Sequence, residues 1–307
     1  MRYTKQALSF TDQINKLKSR GLNFNNESYA QEILSSISYY RLRAYTYPFQ
    51  DNNTDEHPFT IDISFEEIIS LYRFDQKLRM LVFNAMSKIE VALRTQIIHQ
   101  FAIEYGSHWQ TNRSLYKTNR NRRGEFFFDV HQQTLETEIN RSSEKFIEHY
   151  KDKYHTPQMP PSWMTLEVVS MGTLSKLYKS LKTCDAKKRV AKFFGLPNPY
   201  ILENWMLSFS HLRNICAHHS RLWNRRLTTN IEFPRNTRFT FYTQEELREI
   251  RPYKIFAALL SINYILKAID SNSKFSNELK ELMQECPLNQ ENAMGFPTNW
   301  ETHTFWN

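Results

Sequence analysis

Glycine is scarce in this chain, with 6 in 307 residues. Two-residue hairpin turns need positive φ, where glycine is favoured, so a fold built from many tight turns is disfavoured. Cysteine is scarcer still: Cys184, Cys216 and Cys286 are odd in number, widely spaced and free of any Cys-x-x-Cys or Cys/His cluster. They suggest neither a disulfide framework nor a zinc site, and a reducing cytoplasm fits. Long apolar runs are also missing. The longest, residues 255–266, is interrupted by Ser261 and Asn263 and is too short to span a bilayer, while Met1-Arg2-Tyr3-Thr4-Lys5-Gln6 has no apolar signal core. A soluble, cytoplasmic protein with no membrane partner is expected. No Walker loop, dinucleotide fingerprint, His-Glu-x-x-His or Gly-x-Ser-x-Gly occurs, which disfavours the enzyme classes built on them.

What the chain does have is aromatic residues and positive charge. It carries 22 Phe, 16 Tyr and 6 Trp, and 40% of it is hydrophobic, enough for one large core or two modest ones. The formal net charge of +8 and a pI near 9.2 favour an acidic partner, nucleic acid first, although a soluble protein without such a partner carries similar charge.

Apolar spacing near 3.6 residues predicts an all-α fold with at most a small β-hairpin. Helices are expected over 8–18, stopped by Gly21, and over 28–47, ending in the aromatic and basic cluster Tyr39-Tyr40-Arg41-Leu42-Arg43-Ala44-Tyr45. Residues 64–105 read as one long core helix or two in line. In it Asp75 with Arg79, and Glu90 with Arg94, have the spacing of intrahelical ion pairs. Residues 111–124 form a basic loop in which Arg113, Lys117, Arg120, Arg122 and Arg123 alternate with asparagines. A solvated loop and a phosphate-contacting loop both fit. Further helices are expected over 128–154, 165–182, 186–194, 200–225 and 243–269. Alternating β-formers over 231–242 suggest the hairpin. The division expected is an N-terminal helical region 1–60, a helical core 61–270 and a tail 271–307 docked through Trp300 and Trp306.

Placed on a helical wheel, the segment 200–225 separates into two faces. Arg213, Asn214, His218, Arg221 and Arg225 share a polar, cationic arc, and His219 falls with Phe209, Leu212 and Trp223 on the apolar side. His218 is therefore the chemical candidate and His219 a packed imidazole. Arg213 can hold a phosphate and stabilise charge developing on its oxygens, while His218 can move a proton. Asn214 can fix either the ring or the phosphate. Such a pair suits RNA, whose 2′-hydroxyl is already the nucleophile, so no metal or other cofactor is required. The products would be a 2′,3′-cyclic phosphate and a 5′-hydroxyl. One pair supplies a single acid-base group, so a homodimer with two pairs is expected.

Arg213-Asn214-x-x-x-His218 resembles the motif of the HEPN superfamily. Its extension, Arg213-Asn214-Ile215-Cys216-Ala217-His218-His219-Ser220-Arg221-Leu222-Trp223-Asn224-Arg225, is similar to the signature of the Abi-like abortive-infection proteins of the AbiD/AbiF type. Blocks at 12–22, 39–42, 71–79, 89–94 and 171–177 follow the same family in order. The resemblance implies a HEPN-type helical bundle with an N-terminal helical extension. It implies a ribonuclease of antiviral defence, with Arg213 and His218 as its catalytic residues. It also admits a structured non-coding RNA that restrains or directs the nuclease, for which the RNA-binding candidates are the basic loop and the cluster holding Arg41 and Arg43. The competing reading is a non-catalytic RNA-binding module that holds such an RNA on the same cationic face. Glu90 stands open between orienting a catalytic group and pairing with Arg94.

Overall fold

The helices form where caps and apolar stripes coincide. In the computed structural model, which describes Arg2 and residues 6–121 and 123–307, there are fourteen α-helices, short 3₁₀ turns and no sheet among those residues. α1 (Phe10–Lys18) starts at Ser9, whose hydroxyl accepts the amide of Asp12 at 3.1 Å. The single helix expected over 28–47 is two, α2 (Glu27–Ser36) and α3 (Tyr39–Thr46). Ile37 is extended, and the Ser38 hydroxyl accepts the amide of Arg41 at 3.2 Å, so an internal serine recaps the chain and turns it.

α4 (Phe65–Tyr105) runs 41 residues without a break, roughly 60 Å at 1.5 Å per residue. It begins with a reciprocal cap: the Glu67 carboxylate accepts the Ser64 amide at 2.8 Å, and the Ser64 hydroxyl accepts the Glu67 amide at 3.2 Å. It ends at Gly106, where φ is +86°. One stripe of it, including Leu71, Leu78, Ile89, Leu93 and Phe101, is fully buried, each side chain contributing roughly 2 kcal/mol.

The remaining helices pack around this spine. α5 (Phe127–Arg141) and α6 (Lys145–Lys153) replace one expected helix because Ser142 is extended. α7 (Ser162–Thr165), α8 (Met171–Ser180) and α9 (Asp185–Phe193) lead to α10 (Pro199–Ala217), which Asn198 caps with Pro199 in the first turn. After α11 (Gln244–Glu249) comes α12 (Ile255–Ile269). The longest apolar run of the sequence lies here, with every residue from Ile255 to Leu266 buried. No helix of the described residues is long and apolar enough to cross a membrane. α13 (Phe275–Gln284) and α14 (Glu291–Met294) precede a tail whose Trp306 is buried and donates to the Tyr242 hydroxyl at 3.0 Å. α3, α9, α10, α12 and α13 all lie on α4, and one hydrophobic cluster extends from Ile14 to Trp306.

The hairpin expected over 231–242 does not form among the described residues. Phe239 and Phe241 instead set their rings edge-on to Tyr264, at 5.5 and 5.4 Å, and the Tyr264 hydroxyl accepts the amide of Arg238 while donating to the Gly195 carbonyl. The β-forming side chains are thus anchored to the core helix α12, and their backbone has no partner strand.

Candidate nucleic-acid interface

The helix carrying Arg213 ends earlier than its periodicity suggests. α10 stops at Ala217. His219 takes a left-handed conformation, φ +53°, its amide donating to the Cys216 carbonyl at 3.0 Å and that of Ser220 to Ile215 at 2.9 Å. These two bonds close a Schellman turn with a histidine where glycine is usual. The wheel therefore fails beyond Ala217, and the expectation that His219 packs in the core is corrected: both His218 and His219 are exposed.

What ends the helix is a carboxyl group buried in another one. Asp75 of α4, with no solvent exposure, accepts the amides of Leu222 at 3.1 Å and Trp223 at 2.7 Å. It also accepts the Tyr45 hydroxyl at 2.6 Å and the Arg79 guanidinium. Burial raises its pKa, opposed chiefly by Arg79 and then by the Tyr45 hydroxyl and the two amides. Capturing those amides pulls the chain out of helix, buries Leu222 and Trp223, and leaves Arg221 half-buried on the groove wall. The ion pair expected within α4 is present, but it is the centre of a network joining α3, α4 and the turn after α10.

Two arginines then lash α3 to that turn. Arg41 donates to the His219 carbonyl at 2.6 Å, and Arg221 donates to the Ala44 carbonyl at 2.8 Å. Between the two walls lies an open groove of about 860 Å³. Arg41, Arg43, Arg221, Arg225 and Arg226 all line it, His218 and His219 stand on its wall, and none of the described residues lining it is acidic. Arg43 meets the His57 ring at 3.3 Å, and the Arg226 guanidinium lies 4.0 Å from the Tyr253 ring centre. Neither partner carries a formal negative charge, so the positive charge stays uncompensated. The field extends beyond the groove: burial, and then Arg251, Arg221 and Arg226, hold the Lys254 ammonium below its ordinary pKa.

The structure does not bring every candidate to this groove. Arg213, 42% exposed at its side chain, is not among the lining residues. It sits beside α4, 3.9 Å from the Glu90 carboxylate and 6.0 Å from the Phe83 ring centre. The helix ends between them, at Ala217, so Arg213 stays on α10 beside α4 while His218 lies in the turn that opens onto the groove. Glu90 holds Arg94 at 3.0 Å, the ion pair expected along α4. Asn214 is exposed, and its side chain makes no hydrogen bond among the described residues.

The basic loop is not a free strand. Leu115 and Tyr116 are buried, and Tyr116 pairs with Leu181 in an isolated bridge. Arg113 is bidentate to Asp129 at 2.8 and 3.3 Å, and Lys117 donates to the Lys179 carbonyl with Glu203 3.7 Å away. Arg120 donates to the Gly124 carbonyl and lies 3.9 Å from the Phe126 ring centre. Arg123 is exposed, and Arg122 lies outside the described residues. Sequence reasoning missed the anchoring role of Asp75. The signal was there, since an aspartate on the same helical stripe as Leu71, Phe74 and Leu78 has to be buried and partnered.

Fold and site together define an all-helical protein with a cationic, carboxylate-free groove among the described residues at the end of one core helix. The model of the Abi-like protein family matches residues 32–224, more than half of the chain, and the chain belongs to that family. The match contains α3, α4, α10 and the turn through Asn224, and leaves out the block at 12–22. No curated protein and no solved structure matches the chain.

Proposed function

We propose that this Abi-like protein is an endoribonuclease of the HEPN type, acting in abortive-infection defence. The observation that carries the reading is the position of His218 on the wall of a groove lined by five arginines and by no described carboxylate. Such a groove holds a polyanion by counterion release and leaves an exposed imidazole beside the bound backbone. In the reaction, the 2′-oxygen attacks the adjacent phosphorus, the bond to the 5′-oxygen breaks, and a 2′,3′-cyclic phosphate and a 5′-hydroxyl result. His218 takes the 2′ proton. A second His218, from a two-fold related chain, protonates the leaving oxygen, and Arg213 neutralises charge on the phosphoryl oxygens from the α4 side.

One observation favours RNA binding without cleavage: Arg213 stands outside the groove with Glu90 beside it. The two readings separate in one experiment. Purified protein with single-stranded RNA in EDTA should yield 2′,3′-cyclic phosphate ends, and His218→Ala should lose the cleavage while keeping its RNA affinity and its fold. Cleavage undiminished in His218→Ala removes the assignment, and binding without turnover by the wild-type dimer leaves the binding module.

A further inference from the structure

The α3 wall of the groove carries more than charge. Tyr40 is 84% exposed, among the most exposed large side chains of the molecule, and Tyr47 is 49% exposed. Both line the groove, and neither ring meets another ring or a hydrogen-bonding side chain among the described residues. They lie seven residues apart, Tyr47 at the end of α3, so they share one face and stand roughly 10 Å apart along the axis. Arg43 falls between them at the third position and faces the same groove. The wall thus reads ring, guanidinium, ring.

No ring or hydrogen-bonding side chain among the described residues covers the outer faces of the two tyrosines. Their neighbours explain them. A ring beside guanidinium groups, on the wall of an anion-attracting groove, fits a partner that presents a flat π-face and a phosphate together. Unpaired nucleotides do this, because their bases are free to leave one another and stack on a side chain. A duplex offers only its backbone here, since its bases are already stacked and paired. α3 is also held rigidly enough to serve as a platform: Tyr45 is tied to Asp75, Arg41 to the His219 carbonyl, and the Ala44 carbonyl to Arg221.

We infer that Tyr40 and Tyr47 form a base-stacking platform that makes unpaired RNA, rather than duplex, the ligand of the groove. The inference rests on the groove being the RNA site and does not require that the protein cleave.

The test uses full-length protein carrying His218→Ala and measures fluorescence anisotropy of a labelled RNA of about 12 nucleotides, within the range of single-strand site sizes, single-stranded or annealed to its complement. Single strands are expected to bind more tightly than duplex. Tyr40→Ala and Tyr47→Ala should each weaken single-strand binding about tenfold and leave duplex binding unchanged, while Tyr40→Phe, which keeps the ring, should match the parent. Arg43→Ala should weaken both ligands, being a phosphate contact. Both tyrosines are exposed, so loss of fold is not a competing outcome. Equal binding of both ligands, or single-strand affinity indifferent to both tyrosine-to-alanine changes, overturns the inference. A protein that binds through Tyr40 and never cuts keeps this inference and loses the nuclease reading. A protein that cuts RNA with affinity unaffected by either change does the reverse.

Discussion

The groove beside α3 and the loop at 111–124 are both rich in arginine, and by composition alone they are equal candidates for holding RNA. They differ in what their cations touch. In the loop, Arg113 faces the carboxylate of Asp129 and Lys117 lies near that of Glu203, while Arg120, on Phe126 and the Gly124 carbonyl, is the exception that keeps its charge. Around the groove, Arg41 and Arg221 bond to carbonyl oxygens and Arg226 stacks on a tyrosine. A guanidinium bonded to a carboxylate is neutralised, whereas one bonded to a carbonyl is fixed in place with its whole charge intact. Counting basic residues does not predict potential; the sign of their partners does.

The largest effect that sharpens this contrast is structural. Asp75→Ala removes the acceptor shared by Tyr45, Arg79 and two backbone amides, and should cost about 3–5 kcal/mol in urea unfolding. The groove walls should separate with it. Stability within about 1 kcal/mol of the parent would show that the walls are held some other way.

The loop side should instead respond to acid. His131 packs beneath it, its ring centre 6.1 Å from that of Tyr116, and its Nε2 is buried without a partner among the described residues. Burial, aided by Lys176, pushes its pKa from the ordinary 6.5 down to about 4. Between these values the unfolded chain binds a proton that the folded chain refuses. The stability contribution is therefore whole above pH 6.5 and is lost as pH falls through about 4, about 3 kcal/mol in all. His131→Phe should flatten that window, and amide exchange should open first in the loop. An unchanged pH profile in the variant argues against a buried neutral imidazole.

Smaller effects follow at the turn and the loop tip. His219→Val, which puts a β-branched residue at φ +53°, should cost about 1–2 kcal/mol, while His219→Gly should be tolerated. Arg113→Ala removes an exposed ion pair and the stacking of its guanidinium on Phe126 and Phe128, at a cost under about 1 kcal/mol, and should leave RNA affinity unchanged.

How much of this was legible in the sequence depends on whether its cause was local. α4 was readable because its start rests on Ser64 and Glu67, its stop on Gly106, and its stripe on a continuous period. The end of α10 was not readable, since no glycine or proline marks Ala217 and the terminating acceptor, Asp75, lies 148 positions from Trp223. The same distance effect misplaced His219, which the periodicity put on the apolar side and which is exposed. The splits at Ser38 and Ser142 had local signals in the serines themselves, outweighed by the apolar periodicity around them. Of the site, Arg213, His218 and the Tyr39–Tyr45 cluster could be picked out by residue type and spacing. That His218 joins Arg41, Arg43, Arg221 and Arg225 on one groove, while Arg213 turns toward Glu90, could not.

The central claim, that RNA is held in the groove and not on the loop, is tested most directly by the salt dependence of single-strand affinity in protein carrying His218→Ala. Arg43→Ala with Arg226→Ala should lower the slope of log K against log salt by about 1.4, near 0.7 for each phosphate that is no longer neutralised, whereas Arg113→Ala with Lys117→Ala, whose cations already face carboxylates, should leave it unchanged. A slope that falls with the loop pair and stays constant with the groove pair would contradict the account.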